Sequence, residues 1–227
     1  MARVLQKEIG TLKKHILELS AMVEEALHDA VGAFNERDEQ LASKVIERDA
    51  EIDRTEIEVE EEGLKILALH QPVAVDLRFI VSVLKINSDL ERIGDLAVNT
   101  AQRAIALCQS GPVDIPFDLV DMAARVKTML KRSLDALVNF DAALAREVVG
   151  SDDDVDALNH DILDFARSEV LRGTEHAGLI EFVSTARDLE RIGDHAANIA
   201  KDVIYMLEGD IVRHSKRLHR DNGRKDG

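Results

Sequence analysis

Two short stretches carry the residues best placed to do chemistry. DLERIGDLAVN begins at Asp89 and DLERIGDHAAN begins at Asp188, so the same seven residues recur 99 positions apart. Each copy holds an acidic pair at four-residue spacing followed by an asparagine: Glu91, Asp95 and Asn99, then Glu190, Asp194 and Asn198. On a helix, four residues turn the chain by only about 40°, so each trio forms a ladder on one face. A second kind of acidic pair lies upstream of each copy, Asp49 with Asp53 and Asp152 with Asp156. If the helices that carry them are antiparallel neighbours, four carboxylates face one another in each half. Like charges so spaced cost a few tenths of a kcal/mol per pair. A cation relieves that cost, and carboxylates are hard oxygen ligands suited to magnesium, calcium, manganese or iron. Asn99, Asn198 and His160, which continues the Asp152–Asp156 spacing, are further candidate metal ligands. Ile57 stands at the place that matches His160 in the first half.

Other chemistry competes for the same residues. Arg92 lies three residues from both Asp89 and Asp95, so an ordinary ion-pair ladder in a metal-free helical scaffold is one alternative. His195 follows Asp194 but points about 100° away from it, which reads as a surface histidine. A carboxylate-bridged di-iron oxidase is the enzymatic alternative. Such enzymes keep their glutamates and paired ExxH motifs inside the bundle, whereas Glu25-Ala-Leu-His28 is the only ExxH here. Measured from Leu90, the ladder Glu91, Asp95, Asn99 lies about 100° to 180° from the apolar stripe, outside the core. No nucleophile elbow, P-loop or dinucleotide fingerprint is present. No catalytic residue is assigned, and the expectation is that the chain is not an enzyme.

The elements that must position these groups read as six long helices and no strands. The first spans about Val4 to Phe34, with Leu12, Ile16, Leu19, Val23, Leu27 and Ala30 at three- and four-residue spacing. The second spans about Asp38 to Leu69 and ends before Pro72, which also suits the first turn of the third. The third carries Ile86, Leu90, Ile93, Ala97 and Ala101. SGPVDIP, from Ser110, is the clearest break. Helices at about Asp118–Asn139, Asp141–Leu171 and Glu175–Leu207 follow. The order of features repeats: Leu41-Ala-Ser-Lys-Val-Ile resembles Leu144-Ala-Arg-Glu-Val-Val, and Asp49–Asp53 aligns with Asp152–Asp156, both at an offset of 103. The expected fold is therefore all-α, two tandem three-helix bundles. Residues 1–110 form the first repeat, 111–116 a linker, 117–208 the second repeat and 209–227 a basic tail. Gly94 and Gly193 sit inside helices, where glycine costs about 1 kcal/mol relative to alanine. Between stripe and ladder, they are expected to let the neighbouring helix approach.

Composition agrees with this reading. The 227 residues hold 3 prolines, no tryptophan and only 3% aromatics, a profile of long helices. The net charge of −15 argues against non-specific nucleic-acid binding and favours cations or basic partner surfaces. Cys108 is the sole cysteine, which rules out an intrachain disulfide and suits a reducing compartment. The first 20 residues lack the apolar core of a signal peptide, and no run of about 18 apolar residues occurs, so a cytoplasmic location is expected. From Ile211 the chain turns basic, with six Lys or Arg against two Asp. That segment reads as a solvated tail, with an anionic membrane surface or an acidic partner as the minor alternative.

QPVAVDLR from Gln71, followed by LERIGDLAVN, resembles the PhoU family of phosphate-uptake and phosphate-signalling regulators. DLERIGDHAANIAKDVIYM is similar to the matching element of that family's other half. The likeness covers nearly the whole chain to about Leu207. It implies two similar three-helix bundles whose acidic motifs bind multinuclear metal clusters on the surface. Carried onto this chain, the implied ligands are Asp49, Asp53, Glu91 and Asp95 in one half and Asp152, Asp156, Glu190 and Asp194 in the other. The implied metal is iron, manganese, magnesium or zinc. The resemblance also implies a negative regulator of the phosphate-starvation response that links the ATPase subunit of a phosphate ABC transporter to a sensor histidine kinase. It favours a homodimer that lies near the membrane through the transporter. RGTEHAGLIEF replaces HQPVAVDLRFI at the entrance to the last helix, so the two halves differ there.

Overall fold

A computed structural model describes residues 2–109, 119–172 and 178–209. Those residues form helices and short turns only: α1 (Ala2–Glu36), α2 (Glu39–His70), α3 (Ala74–Cys108), α4 (Leu119–Asn139), α5 (Ala142–Gly150), α6 (Asp152–Arg172) and α7 (Leu179–Glu208). Helices α1, α2 and α3 pack as one bundle; α4, the α5–α6 rod and α7 pack as the second. The linker at 111–116 and the basic tail lie outside the described residues, apart from Gly209. No helix among the described residues is long and apolar enough to cross a membrane.

The apolar periodicity that defines the helices also defines the core. Leu12, Ile16, Leu19, Val23 and Leu27 of α1 are buried against Ile52, Val59 and Ile66 of α2 and Ile86, Leu90, Ile93 and Ala97 of α3. In the second bundle Met122, Val126 and Leu130 of α4 meet Val155 and Ile162 of α6 and Ile192, Ala196 and Val203 of α7. Burial of each Leu or Ile contributes roughly 1.5–3 kcal/mol.

The turns repeat as well. Asp38 caps α2, its Oδ1 accepting from the Gln40 and Leu41 amides at 2.9 Å. Asp141 caps α5 in the same way, accepting from Ala143 at 2.9 Å and Leu144 at 3.0 Å. The residue before each cap, Arg37 and then Phe140, has a left-handed backbone, with φ of 54° and 55°.

Two boundaries differ from the sequence expectation. The fifth expected helix is interrupted at Ser151, whose amide donates to the Val148 carbonyl at 3.0 Å and whose hydroxyl donates to the Glu147 carbonyl at 3.0 Å. These bonds close α5, and α6 starts afresh at Asp152. Pro72 lies before α3 rather than in its first turn. The helix starts at Ala74, because Gln71 adopts a left-handed C-cap and Val73 an extended N-cap.

The bundles join along α3 and α7. Lys85 pairs with Asp202 at 2.8 Å, His195 Nδ1 lies 2.7 Å from Asp89 Oδ1, and Arg103 pairs with Asp188. Partner numbers fall on α7 as they rise on α3, so the helices cross antiparallel. Asp89 and Asp188 open the two DLERIGD copies, and each reaches into the other repeat.

Candidate metal centres

Each copy of the repeated motif divides its side chains among faces. In the first, Leu90 and Ile93 are fully buried, Asp89 turns to α7, and Glu91 and Asp95 turn to the groove with α2. Gly94 is a point of close approach between α2 and α3. A Cβ there would lie 3.3 Å from Ile52 Cγ2 and 4.0 Å from Asp49 Oδ1, so the missing side chain lets α2 bring Asp49 to the groove. Gly193 is less tightly covered, since a Cβ would make ordinary contacts of 3.6 Å with Val155 and 3.8 Å with Met129.

In each groove the carboxylates influence one another's ionisation. Asp49 has its pKa raised, first by burial and then by Asp53 and Asp95. Glu91 is raised by burial and then by Asp95, against an opposing Arg92, with smaller raising contributions from Asp53 and Asp49. In the second repeat Glu190 is raised by burial, then by Asp194, Asp156 and Asp152. In each groove, neighbouring carboxylates disfavour ionisation, the condition that a bound cation relieves.

The grooves are not identical. Asp152, Asp156 and Asp194 each present a carboxylate oxygen within 4.8 Å of the others, a spacing that one cation can bridge; this is the only such trio among the described residues. Asp152 is buried and the other two are exposed. In the first groove Arg92 occupies part of the space, its Nε 3.3 Å from Glu91 and its Nη1 3.3 Å from Asp95. The Arg92–Asp89 pair of the ion-pair alternative gives way to Asp89–His195, because Asp89 faces the other bundle. His195 is accordingly half-buried at the junction rather than a free surface group. His160 is exposed and pairs with Asp164 at 3.3 Å. Asn198 accepts from Lys201 at 3.2 Å, and Asn99 is half-buried one turn beyond Asp95.

Glu56 and Asn87 extend the first groove beyond the expected set. Asn87 is 1% exposed, and its Nδ2 donates to the Glu56 carbonyl at 3.0 Å and to Glu56 Oε1 at 2.8 Å. Glu56 has its pKa raised by burial, Glu60, Glu91 and Asp53. The stripe Asp49, Asp53, Glu56, Glu60 has helical spacing and was the available sequence signal; the Asn87 partnership needs the register of two helices. At the matching positions, 103 and 99 residues on, the second repeat has Asn159 and Ala186.

The model of the PhoU domain matches this chain twice, at residues 16–104 and 119–203. The chain belongs to the PhoU family. Its PhoU relatives include the phosphate-specific transport system accessory protein PhoU homologs of Pseudomonas aeruginosa and Aquifex aeolicus. The first is 39% identical over 211 residues, covering 91% of this chain and 86% of the relative. The second is 39% identical over 213 residues, covering 92% and 96%. The crystal structure of PhoU from Pseudomonas aeruginosa superposes with a TM-score of 0.82 at 37% identity, over 90% of this chain and 99% of that one. The phosphate transport system regulatory protein PhoU from Streptococcus pneumoniae gives 0.84 at 25% identity, over 92% and 99%. The two PhoU domain matches agree with the tandem repeat in the fold. The oxygen-rich donor sets fit a hard divalent or ferric ion better than a soft one.

Proposed function

We propose that this chain is a metal-loaded regulatory adaptor. In this reading Asp49, Asp53, Glu91 and Asp95 hold ions in one groove, and Asp152, Asp156, Glu190 and Asp194 hold them in the other. Iron and manganese suit this chemistry, with magnesium and zinc as further occupants. The loaded protein restrains phosphate uptake and the phosphate-starvation response by joining the ATPase subunit of a phosphate ABC transporter to a sensor histidine kinase. It works in the cytoplasm, as a homodimer, by association rather than catalysis.

The observation that carries the metal reading is the convergence of three carboxylate oxygens within 4.8 Å at Asp152, Asp156 and Asp194. Membership of a family whose relatives are named as phosphate-transport accessory proteins supports the regulatory reading.

Elemental analysis of protein purified without chelator tests the first part. Several ions per chain are expected, and Asp152→Asn with Asp194→Asn should lose the share held by the second groove while keeping that of the first. Metal at background levels after manganese or ferrous loading would refute it. Co-purification with the transporter ATPase and with the kinase, at high and low phosphate, tests the second. Absence of association in every condition would remove the adaptor role while leaving the metal sites standing. Oxygen consumption with ferrous iron is expected to stay at the uncatalysed rate.

A further inference from the structure

The two repeats differ on the outer face of α2 and of its counterpart α6. Among the described helices α2 packs only on α1 and α3, so its far side is open to solvent. Along that side Ile57 and Leu64 are each 52% exposed. Seven residues apart, they differ by about 20° around the helix and lie about 10 Å apart along it. Ala50 and Ala68, also exposed, continue the same line in both directions. Glu61 stands between Ile57 and Leu64, exposed on the same face.

The second repeat fills the same positions differently. At the offset of 103, Ile57, Glu61 and Leu64 match His160, Asp164 and Arg167. There the acid is held from both sides, with His160 Nε2 3.3 Å and Arg167 Nη1 3.0 Å from Asp164. In the first repeat both partners have become apolar, and Glu61 makes no ion pair, although Lys65 lies one turn on. The rim of the ridge is acidic. Between Glu47 and Ala68 the exposed acids are Glu47, Glu51, Asp53, Glu58, Glu60 and Glu61. Of the exposed cations there, Arg48 turns to Glu25 and Asp29 of α1, which leaves Arg54 and Lys65.

We propose that this face of α2 docks a basic amphipathic helix of a partner protein. Apolar anchors seven residues apart match the repeat of a packed helix pair, in which a partner helix lays its own apolar stripe along the ridge. Lysines or arginines flanking that stripe then meet Glu58, Glu60 and Glu61, and supply the counter-charge that His160 and Arg167 supply within the second repeat. An anionic occupant, whether lipid headgroup or nucleic acid, is repelled by the same rim. A second copy of α2 would set the acids against themselves. The inference rests on the adaptor reading for its partner, and names the chemistry of the contact; it needs no metal in either groove.

Fluorescence anisotropy with a labelled synthetic peptide, titrated with the full chain in EDTA, tests this. The peptide is a helix of about three heptads with leucine at a and d and lysine at e and g, charges that keep it from pairing with itself. Binding is expected, weakening at about 0.5 M salt, and is expected to be absent when serine replaces the leucines or glutamate the lysines. Ile57→Ser with Leu64→Ser should weaken it at least about tenfold. Glu58→Gln with Glu61→Gln should weaken it and flatten its salt dependence. Val170→Ser with Leu171→Ser, which removes the exposed apolar pair of α6, should leave it unchanged. All six side chains are exposed, so thermal melts should match the parent. Equal binding of the serine peptide, or full binding by the Ile57→Ser, Leu64→Ser protein, would overturn the proposal. So would a change in that protein's sedimentation mass with peptide binding retained, which would assign the ridge to a second copy of the chain. The assay contains neither transporter nor kinase. Peptide binding at the ridge therefore supports the docking face even where the adaptor reading fails, and its absence overturns the face while leaving that reading intact.

Discussion

At the scale of single residues, the seven-residue repeat is a set of divided tasks. Leucine and isoleucine fill the core, the leading aspartate crosses to the other bundle, the glutamate and closing aspartate line a groove, and the glycine sets the gap. Gly94→Val should therefore lower manganese affinity of the first groove, because its branches must push Ile52 and Asp49 away. Isothermal titration should show one class of sites weakened and the other retained, whereas Gly193→Ala, which meets only ordinary contacts, should be near neutral. The raised carboxylates make a second prediction, about pH. A carboxyl whose folded pKa lies above its unfolded value binds extra protons in the folded state between the two values. Stability from that group rises as pH falls from neutral through the raised pKa, and levels off below the ordinary 3.8 of Asp49 and 4.5 of Glu190. Metal-free protein should gain stability in urea as pH falls from neutral towards those ordinary values. Asp49→Asn with Glu190→Gln should flatten that slope. Metal competes with those protons, so affinity should run the opposite way and increase with pH.

At the scale of elements, helix existence was legible because three- and four-residue apolar spacing leaves little choice of buried face. The candidate ligand faces were legible for the same reason, as Glu91 with Asp95 and Asp49 with Asp53 lie one turn apart. What escaped the sequence concerns pairs of elements. The Asp89–His195 contact and the Asn87–Glu56 bond depend on the register between helices, which no single-helix pattern encodes. The stop at Ser151 was hidden because Val148 and Val155 keep the apolar spacing on both sides of it. Arg37 and Phe140 share a left-handed backbone although neither is glycine or asparagine, so the turn recurs where the letters do not. The caps that follow them make a direct test. Asp38→Ala and Asp141→Ala should each cost about 1 kcal/mol in urea denaturation. An effect near zero at either would mean that the turn, not the side chain, sets that helix start.

At the scale of the whole molecule, α3 and α7 each serve a bundle and a junction. Asp188 is 5% exposed and pairs with Arg103, so Asp188→Asn leaves a partly buried guanidinium without its counter-charge. A loss of roughly 2–4 kcal/mol is expected, read as a lower urea midpoint, and Arg103→Met in the same chain should recover part of it. The interruption at Ser151 has a consequence of its own. It makes Asp152 the first residue of α6, where the aligned peptide dipoles favour negative charge. Asp49, its counterpart, lies well inside α2, where no helix end offers that help, and Arg92 shares its groove. On the metal reading, copies of one ancestral unit have thus become ion receptors of unequal strength. They would fill one after the other, so that a single chain grades ion supply over a wider span than a matched pair, with its single threshold, could report.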